Sequence, residues 1–278
     1  MYYDKCLIEL NQKIKAQVWI KIIVMRIITI NVNGIRAAER KGFFNWIQQQ
    51  KADVVCLQEI KAQEDQLDER FYPQGMHTYY KPAERKGYSG TGLYCKKLPD
   101  RVSYSPWDDF NFEGRFIQAD FDDLSVISIY IPSGSSKQER QDFKMEFINE
   151  RFSVYLENLQ NDGRKYIICG DINIVHKEID IKNFSSNKNR SGCLPEEREW
   201  MDNLFDRVGF VDAFREINKE PEQYTWWSNR GQAWANNTGW RIDYQIISGN
   251  LKSSPASVDI YKKERFSDHS PLIIDYDL

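Results

Sequence analysis

Five short motifs place polar or acidic residues at, or just beyond, the ends of apolar segments. Two lie in the first quarter of the chain, NVNG at 31–34 and LQE at 57–59. The other three are GDIN at 170–173, RID at 241–243 and SDH at 267–269. Mg²⁺ prefers oxygen ligands in an octahedron, usually one or two carboxylates with water and substrate phosphate. Side chains from these motifs would supply that kind of ligand shell if the fold brings them together.

The candidate metal ligands are carboxylates and amide oxygens from four of the motifs. They are Glu59, Asp171, Asp268, Asn31, Asn33 and Asn173. Sulfur ligands and multiple imidazoles, which would indicate zinc, are missing. Each motif also has an ordinary interpretation, because NVNG alone is a turn signal and an acidic residue after a strand is often solvated. Only the motifs as a set predict a magnesium site.

Asp243 lies within an apolar segment, where a buried and unpaired carboxylate would be costly. His269, one of three histidines, is the candidate partner. A histidine beside an aspartate keeps its proton more readily, because the opposite charge favours the cationic form. A metal ion and a protonated histidine can offset the charge of a phosphodiester while a carboxylate aligns the attacking water. These residues therefore favour hydrolysis of a phosphate ester.

Short strands and a few helices must position the motifs. Apolar or β-branched runs predict strands at 26–31, 53–58 and 166–169, each directly before a motif. Further strands are predicted at 91–94, 116–121, 125–131, 224–227, 241–248, 258–261 and 272–276. Helices are predicted at 42–50, 138–160 and 195–207, and a polar loop at 182–192. The expected arrangement is two sheets packed together and covered by helices.

Composition excludes several classes of protein. The 278-residue chain is 41% hydrophobic and 14% aromatic, enough for a sizeable core, so a disordered protein is excluded. A net charge of −3 excludes a wholly basic DNA-coating protein, although it permits an enzyme with a local basic groove. No apolar stretch reaches the roughly 18 residues of a membrane span. We therefore expect no membrane partner.

Residues 1–24 do not resemble a signal peptide, because Lys21 interrupts the apolar stretch and no small-residue cleavage site follows. We interpret 1–24 as an N-terminal extension of uncertain role and 25–278 as a single domain. Five widely spaced cysteines without a CxxC pair indicate reduced thiols. A cytoplasmic location is expected on this basis.

Nine segments, in chain order, resemble motifs of the exodeoxyribonuclease III/abasic-site (AP) endonuclease family. They are NVNGIRAA, DVVCLQEIK, GYSGTGLY, YIPSGS, ICGDINIVHKEIDIKN, NRSGCLPEER, TWWS, GWRIDYQIIS and FSDHSPL. The resemblance extends from Met25 to the C-terminus. It implies a DNase I-like α/β fold: a four-layered α/β sandwich in which two packed mixed β-sheets are flanked by helices.

The resemblance also implies an activity in DNA repair. The implied reaction is Mg²⁺-dependent hydrolysis of the DNA backbone 5′ to abasic sites, with 3′→5′ exonuclease activity and trimming of 3′ ends. The implied substrate is double-stranded DNA with abasic sites or 3′ ends, and the implied assembly is a monomer. Mn²⁺ is expected to substitute for Mg²⁺, and no organic cofactor is implied. The number of metal ions, one or two, is left open.

The family's metal-site roles can be carried over residue by residue. The resemblance makes Glu59 the main metal ligand, with Asn33 and Asp268 near the same ion. It places Asn31 between Asp171 and the metal shell. The resemblance thus implies a metal site built from the same oxygen ligands that the motifs predict.

The catalytic roles follow from the resemblance in the same way. Asp171 orients and deprotonates the attacking water, and Asn173 steadies that water or the phosphate. His269 contacts the scissile phosphate and is held by Asp243. Tyr130, from the segment YIPSG, approaches the phosphate or the leaving group. Whether Asp171 itself is the general base is left open by the residues.

DNA binding is predicted from basic, polar and aromatic residues outside these motifs. Phosphate contacts supply most of the affinity for DNA. Basic candidates after the first strand and in the polar loop are Arg36, Arg40, Lys41, Lys182, Lys188 and Arg190. The resemblance adds Tyr88 and Asn187 near the DNA backbone, and Trp226, Trp240 and Ile242 as a pocket for a flipped, base-free deoxyribose. Arg230 is a candidate for the minor groove, because the YIPSG loop has small residues where relatives carry a long side chain.

Three alternatives remain beside this hypothesis. One is a 3′-exonuclease or 3′-phosphatase with little incision at abasic sites. Another is a DNase I-like or phospholipid-cleaving enzyme, against which LPEER and the tryptophans Trp226 and Trp240 argue. The third is a DNA-binding module without catalysis, which the intact acidic and histidine positions disfavour.

Overall fold

The computed structural model describes residues 24–278. The predicted extension over 1–24 lies outside this range, apart from Val24. Within it the chain forms two six-stranded sheets and one two-stranded sheet, with short helices between the strands. The division into an extension and a single domain over 25–278 remains a prediction.

The described strands are mostly four to eight residues long. In chain order they are β1 (Val24–Asn31), β2 (Val54–Gln58), β3 (His77–Lys81), β4 (Thr91–Cys95), β5 (Arg101–Tyr104), β6 (Phe116–Phe121), β7 (Leu124–Tyr130), β8 (Lys165–Asp171), β9 (Val211–Asp212), β10 (Trp226–Trp227), β11 (Gly239–Trp240), β12 (Asp243–Ile247), β13 (Pro255–Ile260) and β14 (Leu272–Asp277). The first sheet has the order β13-β14-β1-β2-β4-β3, and the second has the order β5-β6-β7-β8-β12-β9. In each sheet one central pair is parallel, β1 with β2 and β7 with β8, and the other pairs are antiparallel. Both sheets are therefore mixed.

The helices are short and lie between the strands along the chain. They are α1 (Ile35–Arg40), α2 (Phe43–Gln49), α3 (Asp108–Phe112), α4 (Gln138–Glu146), α5 (Ser153–Asn161), α6 (Phe184–Asn187), α7 (Pro195–Asp202) and α8 (Ala213–Ile217). A π-helical segment at Phe147–Phe152 joins α4 to α5, and a second one at Asn203–Val208 follows α7. Single 3₁₀ turns lie at Glu64–Gln66, Glu69–Phe71, Glu178–Asp180 and Gly249–Leu251.

Alternating side chains of the central strands fill three apolar layers. In β1, Ile27 packs between the two sheets, and Ile28 faces α1 and α2. In β8, Ile167 packs between the sheets, and Ile168 faces the helical segments around α5 and α7. Because successive residues of a strand point to opposite faces, a strand covered on both sides reads as a continuous apolar run. The result is the predicted four-layered α/β sandwich, which the structure confirms.

Several described elements were not predicted, among them α1, α3, α8, β9 and β11, and the helix predicted over 195–207 becomes π-helical from Asn203. Strands β3 and β5 were not predicted, because they are edge strands with partly exposed, polar sequences. The helix predicted over 138–160 is divided by the π-helical segment, although the apolar residues of the predicted stripe still pack in one layer. The loop predicted over 182–192 contains the short helix α6. Among residues 24–278 no helix has the length and apolarity needed to cross a membrane.

Candidate active site

The motifs meet at one edge of the two sheets because of strand direction. The parallel strands β1 and β2 end at Asn31 and Gln58, and the parallel strands β7 and β8 end at Tyr130 and Asp171. Strand β12 is antiparallel to β8, and its first residue, Asp243, pairs directly with Asp171. Carboxyl ends of parallel strands and the amino end of an antiparallel neighbour share one edge. Residues far apart in sequence therefore meet there.

The SDH motif arrives at the same edge just before β14. This strand is antiparallel to β1 and starts opposite Thr29. Trp226 forms an isolated β-bridge with His269, and the backbone N–H of Trp227 donates to the Asp268 carbonyl oxygen over 3.0 Å. The Asp268–His269 segment is thus fixed between the first sheet and β10.

A cleft of about 830 Å³ opens at this edge. Its lining combines polar and acidic groups from the strand ends with aromatic and aliphatic side chains. The predicted site residues in its lining are Asn31, Asn33, Glu59, Tyr130, Asp171, Asn173, Arg190, Trp226, Trp240, Ile242, Asp268 and His269. Asp243 lies behind His269 and is fully buried. One cavity therefore holds or adjoins every residue for which a metal or catalytic role is predicted.

Both oxygens of the Asp171 carboxylate are fixed by hydrogen bonds. Asn31 Nδ2 donates to Asp171 Oδ2 over 2.8 Å, and the backbone N–H of Asn173 donates to Oδ1 over 2.9 Å. Burial raises the pKa of Asp171 to about 7, although the nearby charge of His269 opposes this shift. A carboxylate oriented in this way, with a pKa near neutrality, can accept a proton from a water molecule in the cleft.

His269 is paired with the buried carboxylate of Asp243. The distance from His269 Nδ1 to Asp243 Oδ2 is 2.8 Å, and His269 Nε2 lies 3.9 Å from Asp171 Oδ2. Burial by itself lowers the pKa of His269, but the charge and hydrogen bond of Asp243 raise it to about 10. The imidazole is therefore protonated at neutral pH and places a positive charge at the wall of the cleft.

A lysine ammonium stands among the predicted metal ligands. Lys61 Nζ lies 2.5 Å from Asn33 Oδ1 and 3.3 Å from Glu59 Oε1. Asn33 Nδ2 in turn donates to Asp268 Oδ1 over 2.9 Å. A cationic group thus takes the place expected for the ion, surrounded by carboxylate and amide oxygens of the kind that Mg²⁺ prefers. The residues present fit a divalent cation.

A second group of possible metal ligands lies deeper. Asp171, Asp243 and His269 each offer a ligand atom within 4.8 Å of the others, and all three are buried. Here His269 already bonds to Asp243, and its protonated ring supplies the positive charge that an ion would bring. A protonated imidazole is not a metal ligand. These contacts favour an ion on the Glu59 side of the cleft.

Tyr130 is held against the cleft by a buried arginine. The Arg115 guanidinium lies 4.5 Å from the centre of the Tyr130 ring and donates to the Tyr130 carbonyl oxygen over 3.0 Å. Burial and the charge of Glu59 raise the pKa of Tyr130, while Arg115 opposes the shift. The phenol therefore stays protonated at neutral pH and can donate a hydrogen bond. No sequence motif marks Arg115, because its role depends on packing.

The loop that carries Asn173 rests on a fully buried ion pair. Lys144 Nζ lies 2.7 Å from Glu197 Oε1 and donates to the Asn173 carbonyl oxygen over 2.8 Å. Gln141 Nε2 donates to the same Glu197 oxygen over 3.0 Å, and Gln141 Oε1 accepts from Ser191 Oγ over 2.7 Å. These contacts connect α4 and α7 to Asn173 and Ser191, both of which line the cleft. Nothing in the sequence identified it, since Lys144 and Glu197 lie on separate helices.

The backbone at the strand ends is strained. Asn33, Glu59, Lys61 and Asn173 all have positive φ angles, between 42° and 56°. Such conformations are uncommon for residues other than glycine and cluster at functional sites. Position 170 requires glycine for a steric reason, because a Cβ atom there would lie 1.8 Å from the Ile129 carbonyl oxygen. The glycine of GDIN is needed for the close approach of β8 to β7.

The apolar wall of the cleft, formed by Trp226, Trp240 and Ile242, belongs to a small hydrophobic cluster. Val175, Ile181, Cys193 and Ile242 are its buried members, and Phe184, Trp226 and Trp240 pack against them. The two indoles meet edge to face at a centroid distance of 5.9 Å. This wall has the composition expected of a pocket for a sugar without a base.

The remaining predicted DNA-binding residues do not line the cleft. Tyr88 lines a neighbouring groove, and its hydroxyl oxygen accepts hydrogen bonds from Arg115 and Arg140 over 2.9 and 3.0 Å. Asn187 Nδ2 donates to the Asn183 carbonyl oxygen within its own turn. Arg36 and Arg230 line neither the cleft nor that groove. The basic candidates Arg40, Lys41, Lys182 and Lys188 also line neither of these two cavities. A role for all of these residues in binding DNA stays a prediction.

Comparison with known proteins agrees with this geometry. Residues 28–269 match the Endonuclease/Exonuclease/phosphatase family. The chain is similar to the exodeoxyribonuclease of Bacillus subtilis, with 38% identity over 89% of this chain and 98% of that one. It is also similar to the DNA repair nuclease APEX1 of Danio rerio, with 36% identity over 90% of this chain and 81% of that one.

A solved structure extends the similarity to three dimensions. The AP endonuclease from Archaeoglobus fulgidus superposes with a TM-score of 0.82 and 27% sequence identity, over 91% of this chain and 100% of that chain. The match over residues 28–269 begins in β1 and ends at His269, so it includes all five motifs. The chain therefore belongs to the Endonuclease/Exonuclease/phosphatase family.

Proposed function

We propose that this chain is a Mg²⁺-dependent DNA-repair phosphodiesterase that cuts the duplex backbone 5′ to abasic sites and trims 3′ ends. One observation carries the proposal: a carboxylate and an imidazolium, each fixed by a buried partner, line the same cleft as a set of carboxylate and amide oxygens. The groups are Asn31 with Asp171, Asp243 with His269, and Glu59, Asn33 and Asp268. Relatives named exodeoxyribonuclease and DNA repair nuclease support the choice of DNA as substrate.

The chain's own groups would align and activate water. The fixed carboxylate of Asp171 would orient a water molecule and take its proton, while Asn173 steadies the water or the phosphate. Protonated His269 would donate a hydrogen bond to a phosphate oxygen as negative charge develops there. The Tyr130 phenol, which burial keeps protonated, would donate a hydrogen bond to the phosphate or to the leaving oxygen.

Glu59, Asn33 and Asp268 would hold the Mg²⁺ ion, with Asn31, Asp171 and Asn173 at the edge of the shell. When bound, the ion supplies positive charge that offsets the charge of the phosphate oxygens, and Mn²⁺ would substitute for it. Lys61 would have to leave the space between Glu59 and Asn33. The oxygens around Lys61 support this assignment.

The apolar wall supports an abasic site as the preferred target. A deoxyribose without a base can enter a pocket bounded by Trp226, Trp240 and Ile242, close to His269. Unpairing costs least where a base is already missing, which would favour such sites over intact DNA. Arg190 lines the same cleft and is a candidate contact for the DNA backbone.

The proposal is tested with a labelled duplex that contains one tetrahydrofuran abasic analogue, incubated with Mg²⁺ or with EDTA. We expect incision 5′ to the analogue with Mg²⁺ and none with EDTA. A duplex with recessed 3′ ends, assayed in parallel, measures trimming. Trimming without incision would instead support a 3′-exonuclease or 3′-phosphatase, and binding without either reaction would support a non-catalytic module.

A further inference from the structure

We propose that Trp226 is a positioning residue that joins the apolar wall of the cleft to the metal ligands, and that it thereby sets the affinity for a divalent cation. The inference rests on the proposed function in one respect, since it takes Asp268 to be a metal ligand. Trp226 would then have two roles, because it bounds the apolar pocket and also donates a hydrogen bond to a metal ligand.

The Trp226 indole contacts the Asp268 carboxylate directly. Trp226 Nε1 donates to Asp268 Oδ2 over 3.2 Å. The other oxygen, Oδ1, accepts from Asn33 Nδ2 over 2.9 Å and from Ser267 Oγ over 3.1 Å. Among the described side chains, Trp226 is therefore the donor that fixes Oδ2. Hydrogen bonds from outer residues orient the carboxylates that bind metals.

The backbone around Trp226 strengthens this connection. Trp226 forms a β-bridge with His269, and the N–H of Ser270 donates to the Thr225 carbonyl oxygen over 2.7 Å. Thr225 Oγ1 accepts from the backbone N–H groups of Ile242 and Asp243, each over 3.1 Å. The segment 225–226 thus fixes the apolar wall, the His269–Asp243 pair and Asp268 relative to one another. A shift of the wall would be transmitted to the metal ligands.

Trp240 provides a matched control in the same pocket. It packs edge to face against Trp226 and pairs with it across β10 and β11. Within residues 24–278, the Trp240 indole nitrogen forms no hydrogen bond to Asp268, Glu59 or Asn33. A change from tryptophan to phenylalanine at either position removes an indole N–H and retains an aromatic ring. Only the change at Trp226 removes a bond to the metal shell.

The test is calorimetric titration of the full chain with Mn²⁺ in the absence of DNA. We expect Trp226→Phe to weaken Mn²⁺ binding by about 10-fold, the lower end of the effect of losing an outer hydrogen bond to a metal ligand. Trp240→Phe should retain the affinity of the unaltered protein to within about twofold. Thermal unfolding midpoints of both variants report whether each remains folded.

A double-mutant cycle with Asp268→Ala, which removes both acceptor oxygens, separates this role from a packing defect. If Trp226 acts through Asp268, Trp226→Phe should have no further effect on Mn²⁺ affinity once Asp268 is replaced. Equal weakening in both backgrounds, or unchanged affinity in the single variant, would overturn the inference and leave the proposed function intact. No Mn²⁺ binding by the unaltered protein would overturn both.

Discussion

Asn31 Nδ2 donates a hydrogen bond of 2.8 Å to Asp171 Oδ2, and this bond joins the end of β1 in the first sheet to the end of β8 in the second. The two residues are 140 positions apart and both are buried. The orientation of the Asp171 carboxylate therefore depends on how the two sheets pack. This explains why the candidate active site requires the whole sandwich.

Replacement of Asp171 should slow the reaction strongly while preserving the fold. In Asp171→Asn the side chain keeps its size but loses the ability to accept a proton, so we expect the incision rate to fall by at least about 10²-fold. His269→Ala should lose at least as much, since it removes the positive charge. Single-turnover incision of the abasic-analogue duplex measures both effects. Near-normal rates in either variant would contradict the assignment.

Asp243→Asn should lower the pKa of His269. In the unaltered protein burial opposes protonation, and the charge of Asp243 raises the pKa to about 10, above the unfolded value of about 6.5. The protonated pair therefore contributes stability that is fully present below about pH 6.5 and is lost as the pH rises through about 10. NMR titration of the His269 ring should show a lower midpoint in the variant. An unchanged midpoint would mean that Asp243 does not hold the proton.

Lys61→Met should tighten the binding of a divalent cation. The Lys61 ammonium lies between Glu59 Oε1 and Asn33 Oδ1 and must be displaced when an ion binds there. Because the lysine side chain is 31% exposed, its competition is screened and amounts to about 1 kcal/mol, or about fivefold in affinity. Calorimetric titration with Mn²⁺ measures the change. Lys137→Met, at the mouth of the same cleft, is the matched control, and weaker binding by Lys61→Met would show that Lys61 supports the ion.

Lys144→Met should destabilise the protein strongly. It leaves Glu197 as an uncompensated charge with both side chains 0% exposed, a loss that typically costs about 3–5 kcal/mol. Lys144→Met combined with Glu197→Gln should recover part of this loss, because the buried charge is removed. Urea denaturation gives the free energies of unfolding. Additive losses in the double variant would show that the two groups do not act as a pair.

The sequence predicted the layers well because the central strands are buried on both faces. The continuous apolar runs that end at Gln58 and before Asp171 are typical of central strands, and each run leads into a motif. Edge strands β3 and β5 were missed because half-exposed strands carry polar residues and resemble loops. The π-helical segment after Glu146 leaves no sequence signal in a pattern of three- and four-residue steps.

The site was predictable to the extent that its residues lie in motifs at strand ends. Lys61 stands two residues after Glu59 in LQEIK, so its proximity could have been noticed. Arg115 and the Lys144–Glu197 pair act through tertiary contacts between distant elements, and no local pattern marks such contacts. The same limit applies to the Trp226 bond to Asp268, which depends on how β10 meets the SDH segment.

The dependence of the cleft's activity on metal is measured by the rate of abasic-site incision as a function of Mg²⁺ concentration, for the unaltered protein, Glu59→Gln and Asp171→Asn. We expect no incision in EDTA. We also expect Glu59→Gln to need at least about 10-fold more Mg²⁺ for half-maximal rate, since it loses a metal-binding charge, and Asp171→Asn to lower the maximal rate. Incision in EDTA at the rate seen with Mg²⁺, or an unshifted Mg²⁺ dependence in Glu59→Gln, would contradict the claim that these groups form a metal-dependent phosphodiesterase site.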